Sequence, residues 1–514
     1  MAAIVTDQFR ILNADNFVNS VLDDNNSYYV FLGLPNSSVA GFGRTSNWST
    51  ATSGPPSPTD NLQYLYHYRD TGLFGKRITS ANIRRVIRKV QWTSNTAYDM
   101  YRHDYSFSNL TPNSGTSRLY DSNYYVINSD FRVYICIDNG SSGSNPKGER
   151  SRFEPTGTNT EVLPNAGDGY RWKYLFSISP SDIIKFDSTE YIVLPNDWAT
   201  SSDYETVRDA GDSETTNNQI QKVYIQNGGS GYSDGTYPIL GDGSGGTVRI
   251  KTTNTEDKTN VITEATVETG GSRYTWGIVD LGRVDISDPA TLIPIIPPSR
   301  GHGYDIYTEL GADRVLVYAR FDDSTKDFPV DTKFAQVGIV KNPKEYAGVT
   351  TFTGSTYSGL YALKLDATYT ETPTIGEIVS QTQTNVGGIT SIAKGYVASY
   401  DSTTRVLKYF KDRSLFLPNG VNQEDRITIG VDSKVVEFNN TDGITFTSSS
   451  SSASVASGFN GSSENGINLG VTFAGGLSNP EINKKTGDII YIDNRPEVER
   501  NLMQKEDVKI ILEF

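Results

Sequence analysis

The chain is poor in the residues that most often form covalent cross-links and catalytic centres. Its 514 residues include one cysteine, three histidines and three methionines. A single cysteine, Cys136, permits no intramolecular disulfide, so we expect the chain to fold in a reducing cytoplasm. Cys136 lies in a β-rich run, and it is predicted to be a small buried apolar residue rather than a reactive thiol.

The histidines are too few and too scattered for the common hydrolase and metal sites. His67, His103 and His302 lie far apart, no His-Glu-x-x-His motif occurs, and there is no second cysteine to join a zinc site. The Gly-x-Ser-x-Gly turn of serine hydrolases is also missing from the sequence. The sequence therefore predicts no metal, no cofactor, no small-molecule substrate and no enzymatic activity.

Positive charge and long apolar runs are scarce as well. The chain has 60 acidic against 46 basic residues, a formal charge of −14. Binding to a nucleic-acid duplex rests on Lys and Arg neutralising phosphates, so a nucleic-acid partner is not expected. The longest apolar stretch, near residues 292–296, is broken by prolines and falls short of the ~20 residues that a membrane span requires. We also find no secretory signal, and predict no membrane partner.

Two glycine-rich segments match ligand-binding motifs only in part. Residues 241–246 satisfy Gly-x-Gly-x-x-Gly, but the next residues read as a strand, whereas a dinucleotide site needs a helix there. Residues 228–234 approach a calcium-binding repeat, with the aspartate one residue late. Both segments are predicted to be turns, with calcium binding at the second as the alternative.

What the chain does contain is typical of β-structure. It has 47 glycines and 31 tyrosines, and Thr, Val, Ile and Tyr recur in short runs separated by Gly, Asn, Asp and Ser. We predict an all-β fold with minor α-structure. One helix is predicted over residues 15–22, with Asp15 as its cap, and a second after Ser80, where Ile83, Val86, Ile87 and Val90 form a stripe with helical spacing.

Positive charge is concentrated in one segment. Six cations and no acid occur between Lys76 and Lys89. The basic face is either solvated or in contact with an acidic neighbouring subunit. An aromatic alternation over residues 170–176 likewise indicates either core or a subunit contact. The candidate interface residues are Arg84, Arg85, Arg88, Lys89, Tyr170 and Trp172.

An internal repeat marks residues 206–305. The residues Val223, Ile225, Gly228, Gly229, Ser230 and Tyr232 return 42 residues later as Ala265, Val267, Gly270, Gly271, Ser272 and Tyr274. Each copy predicts a strand that runs into a Gly-Gly turn covered by the tyrosine, so this region is predicted to be a small β-domain. Residues 349–478 predict a barrel-like β-domain whose Ser/Gly-rich end is a return linker.

The remaining segments resemble a known family. The motifs occur in residues 3–10, 42–60, 167–195 and 487–514, where the last holds an Asn494-Arg495-Pro496 turn and a final strand ending in Phe514. A weaker block runs over residues 312–343. In this order the blocks resemble the baseplate wedge subunit of T4-like contractile-tailed phages, the gene-product-eight family. We expect both C-terminal strands either to be buried on two faces or to close a sheet.

The resemblance implies a structural protein of the virion tail baseplate, assembled in the host cytoplasm. It implies a homodimer that links neighbouring wedge proteins through a layered β-sandwich body. That body would comprise residues 1–205, 306–348 and 479–514, with 206–305 and 349–478 as inserted domains. The alternative is a carbohydrate-binding or depolymerising tail protein, in which Asp104, Asp121 and Asp130 would lie in a sugar groove.

Overall fold

The computed structural model describes residues 5–33, 69, 72–212, 217–282, 287–322, 333–384, 390–411, 436–499 and 504–514. Strands account for 43% of the structure and helices for 11%, which confirms the predicted class, all-β with minor α. The family blocks at residues 3–4 and 42–60, and His67, lie outside the described residues. No helix in the described ranges is long and apolar enough to span a membrane.

The helices are short apart from the first. The α-helices are α1 (Asp7–Leu22), α2 (Pro180–Phe186), α3 (Glu205–Gly211) and α4 (Ile306–Glu309). Single 3₁₀ turns occur at Ser80–Asn82, Leu119–Asp121 and Ser202–Tyr204.

The strands in the first part of the chain are β1 (Tyr28–Gly33), β2 (Gly72–Ile78), β3 (Ile83–Arg88), β4 (Tyr125–Ile127), β5 (Arg132–Asn139), β6 (Tyr170–Ser177), β7 (Tyr191–Val193), β8 (Val223–Asn227), β9 (Gly235–Gly241), β10 (Ser244–Thr253), β11 (Val261–Ser272), β12 (Gly277–Val279) and β13 (Thr291–Pro294).

The later strands are β14 (Arg314–Phe321), β15 (Lys333–Lys341), β16 (Lys344–Glu345), β17 (Thr356–Ser358), β18 (Tyr361–Lys364), β19 (Ile378–Thr384), β20 (Thr390–Asp401), β21 (Val406–Phe410), β22 (Ile444–Phe446), β23 (Ser452–Ala453), β24 (Gly461–Glu464), β25 (Ile467–Phe473), β26 (Leu477–Ser478), β27 (Ile482–Asn483), β28 (Asp488–Glu499) and β29 (Glu506–Glu513).

The chain divides into two compact units. The first comprises Met1–Val18, Arg84–Leu316 and Ile511–Phe514, and the second comprises Asn19–Ile83 and Val317–Ile510. In the first unit, strands β4, β5 and β6 form an antiparallel sheet in that order. Their apolar side chains are buried, and together with Trp198 and Leu310 they form the largest described core of this unit.

The repeated segment of the first unit folds as its sequence predicts. Strands β11, β10, β9 and β12 form a sheet around a core that includes both repeat tyrosines, Tyr232 and Tyr274. Gly229 and Gly271 have φ values of +58° and +60°, a region that glycine enters without steric cost. A Cβ on either glycine would lie within 2.8 Å of the ring of its tyrosine. The tyrosine rings therefore cover the Gly-Gly turns, as predicted.

In the second unit, distant segments of the chain share one sheet. Its order is β17-β2-β1-β15-β28, so strands from the predicted body segments 1–205, 306–348 and 479–514 are hydrogen-bonded neighbours. Strand β17, which falls within the predicted insertion 349–478, pairs with β2 of the same sheet. This sheet thus combines segments that are far apart in the chain, and it includes β17.

Seven other strands of that insertion form a closed set, and β24 and β25 pair separately. The sheet order is β23-β22-β19-β20-β21-β18-β26. The residues that follow β18 and β23 bond to each other: Leu365 bridges Val455, and Asp366 N donates to Ser454 O at 3.0 Å. The apolar side chains of these strands form one core. A ring of strands around an apolar interior is the arrangement of a small barrel.

Two predictions about secondary structure are wrong. Residues 83–88 form strand β3 rather than a helix, preceded only by a 3₁₀ turn. All four apolar residues of the helical stripe, which are Ile83, Val86, Ile87 and Val90, are β-branched and suit a strand equally well. Helix α1 begins at Asp7, so Asp15 lies inside it and is not its cap.

The C-terminal strands differ from the prediction as well. Burial in β29 alternates along the strand, with Ile510 buried and Ile511 exposed to 37%. In β28, Ile490 is exposed to 44%. Both strands are therefore covered on one face, and the expected burial on two faces is wrong.

Substitution of Gly338 tests the central sheet of the second unit. A Cβ there would lie 2.3 Å from both the Phe31 ring and the Tyr491 carbonyl oxygen, so we expect Gly338→Ala to lower the free energy of unfolding by about 1–3 kcal/mol. Gly443→Ala is the control, because no atom lies within 4 Å of its added Cβ. Urea unfolding measures both. Equal stability of the two variants would contradict this packing.

Candidate subunit interface

The predicted basic residues lie on strand β3 and on the residue that follows it. Arg88 pairs with Tyr191 of β7, and Lys89 N donates to Glu190 O at 2.7 Å. The strand alternates its side chains between two faces, so the four cations do not form the single basic face that a helix would have given. Each of them has its own surroundings.

Arg85 is a buried structural cation. It is exposed to only 4%, and its Nε donates to Asp15 Oδ1 of helix α1 at 2.5 Å. Its guanidinium carbon lies 4.2 Å from the centroid of the Tyr307 ring. Burial raises the pKa of Tyr307 to about 12, although the charge of Arg85 opposes that shift. Arg85 therefore holds α1 and does not present charge to a partner.

Arg84 and Lys89 hold helix α2 and the turn after it. Arg84 donates to both carboxylate oxygens of Asp182, at 2.8 and 3.2 Å. Lys89 Nζ lies 3.1 Å from Asp187 Oδ1 and 2.9 Å from Ser188 O. The acids that neutralise these cations come nearly one hundred residues later in the chain, which is why the local sequence showed an unbalanced basic segment.

Arg88 differs from the other three cations. Its guanidinium donates to Asn123 Oδ1 at 2.9 Å and to the carbonyl oxygens of Asp121 and Ser122 at 3.1 and 2.7 Å. These acceptors fix the side chain without neutralising it. Among the described residues Arg88 has no carboxylate partner, and its side chain is exposed.

A concavity of about 440 Å³ lies beside Arg88. Its lining includes Ile87, Tyr120, Tyr125 and Leu310 together with charged residues of both signs. Burial raises the pKa of Tyr120 to about 12 and moves the pKa of the Asp313 carboxyl above its usual range. The charged lining residues are Arg88, Lys89, Arg118, Asp121, Glu190, Asp313 and Arg314.

Most of these charges are already paired. Arg118 forms an ion pair with Asp7 and lies 3.4 Å from Asp121. Arg314 contacts Asp313 at 2.9 Å and Glu513 at 2.7 Å. The concavity is therefore a mixed-charge surface rather than the purely basic one that the sequence suggested.

Tyr170 and Trp172 lie in the core of the first unit. They are exposed to 1% and 4%, and their rings stack with centroids 5.3 Å apart. Tyr170 Oη also bonds to backbone of the same unit, accepting from Tyr98 N at 2.8 Å. This is the location that the core alternative predicts; an interface role for either residue stays a prediction.

The residues considered for chemistry have structural surroundings. Burial raises the pKa of the Cys136 thiol well above its ordinary value, which fits the predicted inert residue. His103 Nδ1 accepts from Ile296 N at 3.2 Å, and His302 Nδ1 lies 2.6 Å from Glu309 Oε1. Within the described ranges no group of three or more His, Cys, Asp or Glu side chains could hold a metal ion.

The three aspartates of the supposed sugar groove each have an arginine neighbour. Asp104 accepts two bonds from Arg102, at 2.6 and 2.9 Å. Burial would raise the pKa of Asp104, but the hydrogen bonds and charge of Arg102 outweigh it and lower the pKa. Asp130 lies 3.2 Å from Arg132, and Asp121 lies 3.4 Å from Arg118.

Comparison with known proteins bears on the segment that surrounds this site. A family model described as Bacteriophage T4, Gp8 matches residues 136–225. The resemblance to the gene-product-eight family is confirmed. The matched segment contains Tyr170 and Trp172 as well as Asp182 and Asp187, which pair with Arg84 and Lys89. It continues past residue 205, where the first insertion was predicted to begin.

One relative is similar over part of the chain. The chain is 26% identical over 219 residues to the baseplate wedge protein gp8 of Enterobacteria phage T4. The match covers 38% of this chain and 60% of the relative, so the chain spans less than two thirds of that protein's length.

Removing the Arg85 side chain tests its structural role. Arg85→Ala leaves Asp15 and the Tyr307 ring without their partner, and breaking a buried ion pair costs about 3–5 kcal/mol. We expect the loss in free energy of unfolding to lie near the lower end of this range, because the Asp15 side chain is 31% exposed. Lys251→Ala is the control: it removes an ion pair whose partners are exposed to 55% and 53%, worth about 0–1 kcal/mol. Equal unfolding midpoints would refute the assignment.

Proposed function

We propose that this protein is a structural wedge subunit of a contractile phage tail baseplate and acts through contacts with other proteins. The observation that carries the proposal is the family match over residues 136–225, supported by the relative named as a baseplate wedge protein. The matched segment supplies strand β6 of the main core and helix α2, which β3 holds through two ion pairs. The shared region is thus the framework of the first unit.

The proposal includes the absence of catalysis. This part of the proposal is supported by the candidate acids, because Asp104, Asp121 and Asp130 each contact an arginine of the same unit. The Arg102 guanidinium lowers the pKa of Asp104, so this carboxyl is a poor general acid at neutral pH. Turnover of host polysaccharide that is abolished by Asp104→Asn would favour the alternative, a depolymerising tail protein.

We place the protein in the virion tail as a homodimer that binds neighbouring wedge proteins. Of the six candidate interface residues, Arg88 has the most accessible charge, with Lys89 beside it in the same concavity. Arg85, Tyr170 and Trp172 are buried, and Arg84 is committed to Asp182. The contact proposed here therefore centres on Arg88 and Lys89. Nucleic acid and membrane are not part of it.

The oligomer and its partners can be measured directly. Light scattering of the purified full chain should give twice the mass of 56.5 kDa, and mixing with the other wedge proteins of the same phage should give a larger complex. A phage capsid protein serves as the control for unspecific binding. A monomer would contradict the dimer, and failure to bind any wedge protein would contradict the function.

We further propose that the barrel and the repeated segment are separable modules on the body. The barrel module covers a shorter range than residues 349–478, because β17 pairs with β2 in the sheet of the body. Its ends are neighbours: Ala362 pairs with Ser478, and paired Cα atoms in antiparallel strands lie about 4.5–5.5 Å apart. The repeated segment has its own core, formed by residues between 220 and 296, which supports a separate module. We place the start of this module after residue 206, because the family match reaches residue 225.

Excision tests the barrel module. Residues 363–477 are replaced by a short Gly/Ser link between the paired ends. We expect a soluble chain with a cooperative melt, because none of the strands of the sheet β17-β2-β1-β15-β28 is removed. Circular dichroism and light scattering provide the readout, with the intact chain as control. An aggregated or unfolded product would show that the barrel is part of the body's core.

A further inference from the structure

The concavity beside Arg88 holds two charges that its own surroundings leave uncompensated. Lys89, Arg118 and Arg314 each have a carboxylate partner, and Asp121 and Asp313 each have an arginine. Of the charged residues that line this concavity, Arg88 and Glu190 remain. Neither of them forms an ion pair in the part of the chain that the structure describes.

Arg88 is held in place and still able to bind. A guanidinium has five N–H donors, and three are used by Asn123, Asp121 O and Ser122 O, which leaves two. Because its fixed acceptors are neutral oxygens, the full positive charge remains. A carboxylate is the acceptor that forms the strongest charge-assisted hydrogen bond with such a free donor. These contacts already hold the Arg88 side chain in one conformation, so binding a partner costs little further side-chain entropy.

Glu190 supplies a negative charge at the same concavity. It directly precedes β7, next to Tyr191, and its side chain is exposed. No described hydrogen bond or ion pair engages its carboxylate. A ligand that fills the concavity therefore meets an uncompensated cation and an uncompensated anion on the same surface.

The walls of the concavity are fixed and partly apolar. Tyr125 Oη donates to Arg88 O at 2.7 Å, and Tyr120 Oη donates to Thr308 O at 2.8 Å. Gly311 has a φ of +69°, and a Cβ there would lie 2.5 Å from the Tyr120 ring, so glycine lets this ring pack against the turn. The volume of about 440 Å³ falls within the range of ordinary ligand sites, ~300–1,000 Å³.

We propose that this concavity binds a polypeptide segment of a partner subunit that carries a carboxylate side chain and a basic side chain close together. The carboxylate pairs with Arg88, and the basic group pairs with Glu190. Apolar atoms between the two contact the half-buried ring of Tyr120. The inference rests on the proposed function, and it specifies the chemistry of the partner that this function requires. Charges placed in this way fix register and speed association.

Charge reversal at both positions tests the proposal. The purified full chain is immobilised, and each purified wedge protein of the same phage is passed over it at 0.05 and 0.15 M NaCl. We expect Arg88→Glu and Glu190→Lys each to weaken binding of one and the same wedge protein at least about tenfold, which corresponds to about 1.4 kcal/mol. The loss should be smaller at the higher salt concentration, where the Debye length is about 8 Å.

Two matched variants control for net charge. Lys147→Glu and Glu256→Lys make the same charge changes at exposed sites outside the concavity, and both should bind as the unchanged chain does. Arg88→Glu also removes three internal hydrogen bonds and could disturb the 3₁₀ turn at Leu119–Asp121. Glu190→Lys has no such contact to lose, so it tests the site even if the Arg88 variant folds poorly.

The outcomes separate this inference from the proposed function. Binding that is unchanged by Glu190→Lys, in a chain that still assembles with wedge proteins, overturns the concavity as the contact and leaves the function standing. Weakening by the two control variants to the same extent also overturns it, because the effect is then one of net charge. If the unchanged chain binds no wedge protein, the proposed function fails and this inference fails with it.

Discussion

The buried ion pair between Arg85 and Asp15 is the constraint on which much of the first unit depends. A guanidinium that is exposed to only 4% must have a partner, because an uncompensated buried charge costs several kcal/mol. The pair fixes the middle of helix α1 against strand β3, and the Tyr307 ring covers the cation. In the same way, Arg84 and Lys89 hold helix α2 and the turn after it through ion pairs with Asp182 and Asp187. A single short strand therefore positions two helices that are far apart in the sequence.

This use of charge determines which surface is left for partners. Three of the four cations near β3 are neutralised within the unit, so the basic segment does not act as one electrostatic patch. What remains at the concavity is one fixed arginine and one exposed glutamate among aromatic walls. A surface of this kind selects a partner by geometry and by the order of its charges, which suits an assembly whose neighbours must join in one register.

The sequence predicted the fold best where the signal was local. The Gly-Gly turns and their tyrosines in the 42-residue repeat were read correctly because a left-handed turn and the ring that covers it lie three residues apart. The short β-branched runs gave the fold class. The stripe of Ile83, Val86, Ile87 and Val90 predicts a helix by its spacing. A short β-branched run that is buried almost throughout can equally form a strand, and only its pairing with β7 decides between the two. Of the candidate interface residues, Arg88 and Lys89 lie at the concavity, whereas Tyr170 and Trp172 lie in the core.

By itself, the sequence determined the all-β class, the repeat and the family resemblance, because each is carried by neighbouring residues or by ordered motifs. The tertiary structure alone decided which charges remain at the surface. Arg85 and Asp15 are 70 residues apart, and Arg84 and Asp182 are 98 apart. Ion pairs depend on distance in space and not on distance along the sequence. Three cations of the basic run, Arg84, Arg85 and Lys89, therefore form internal ion pairs, whereas Arg88 has no carboxylate partner among the described residues.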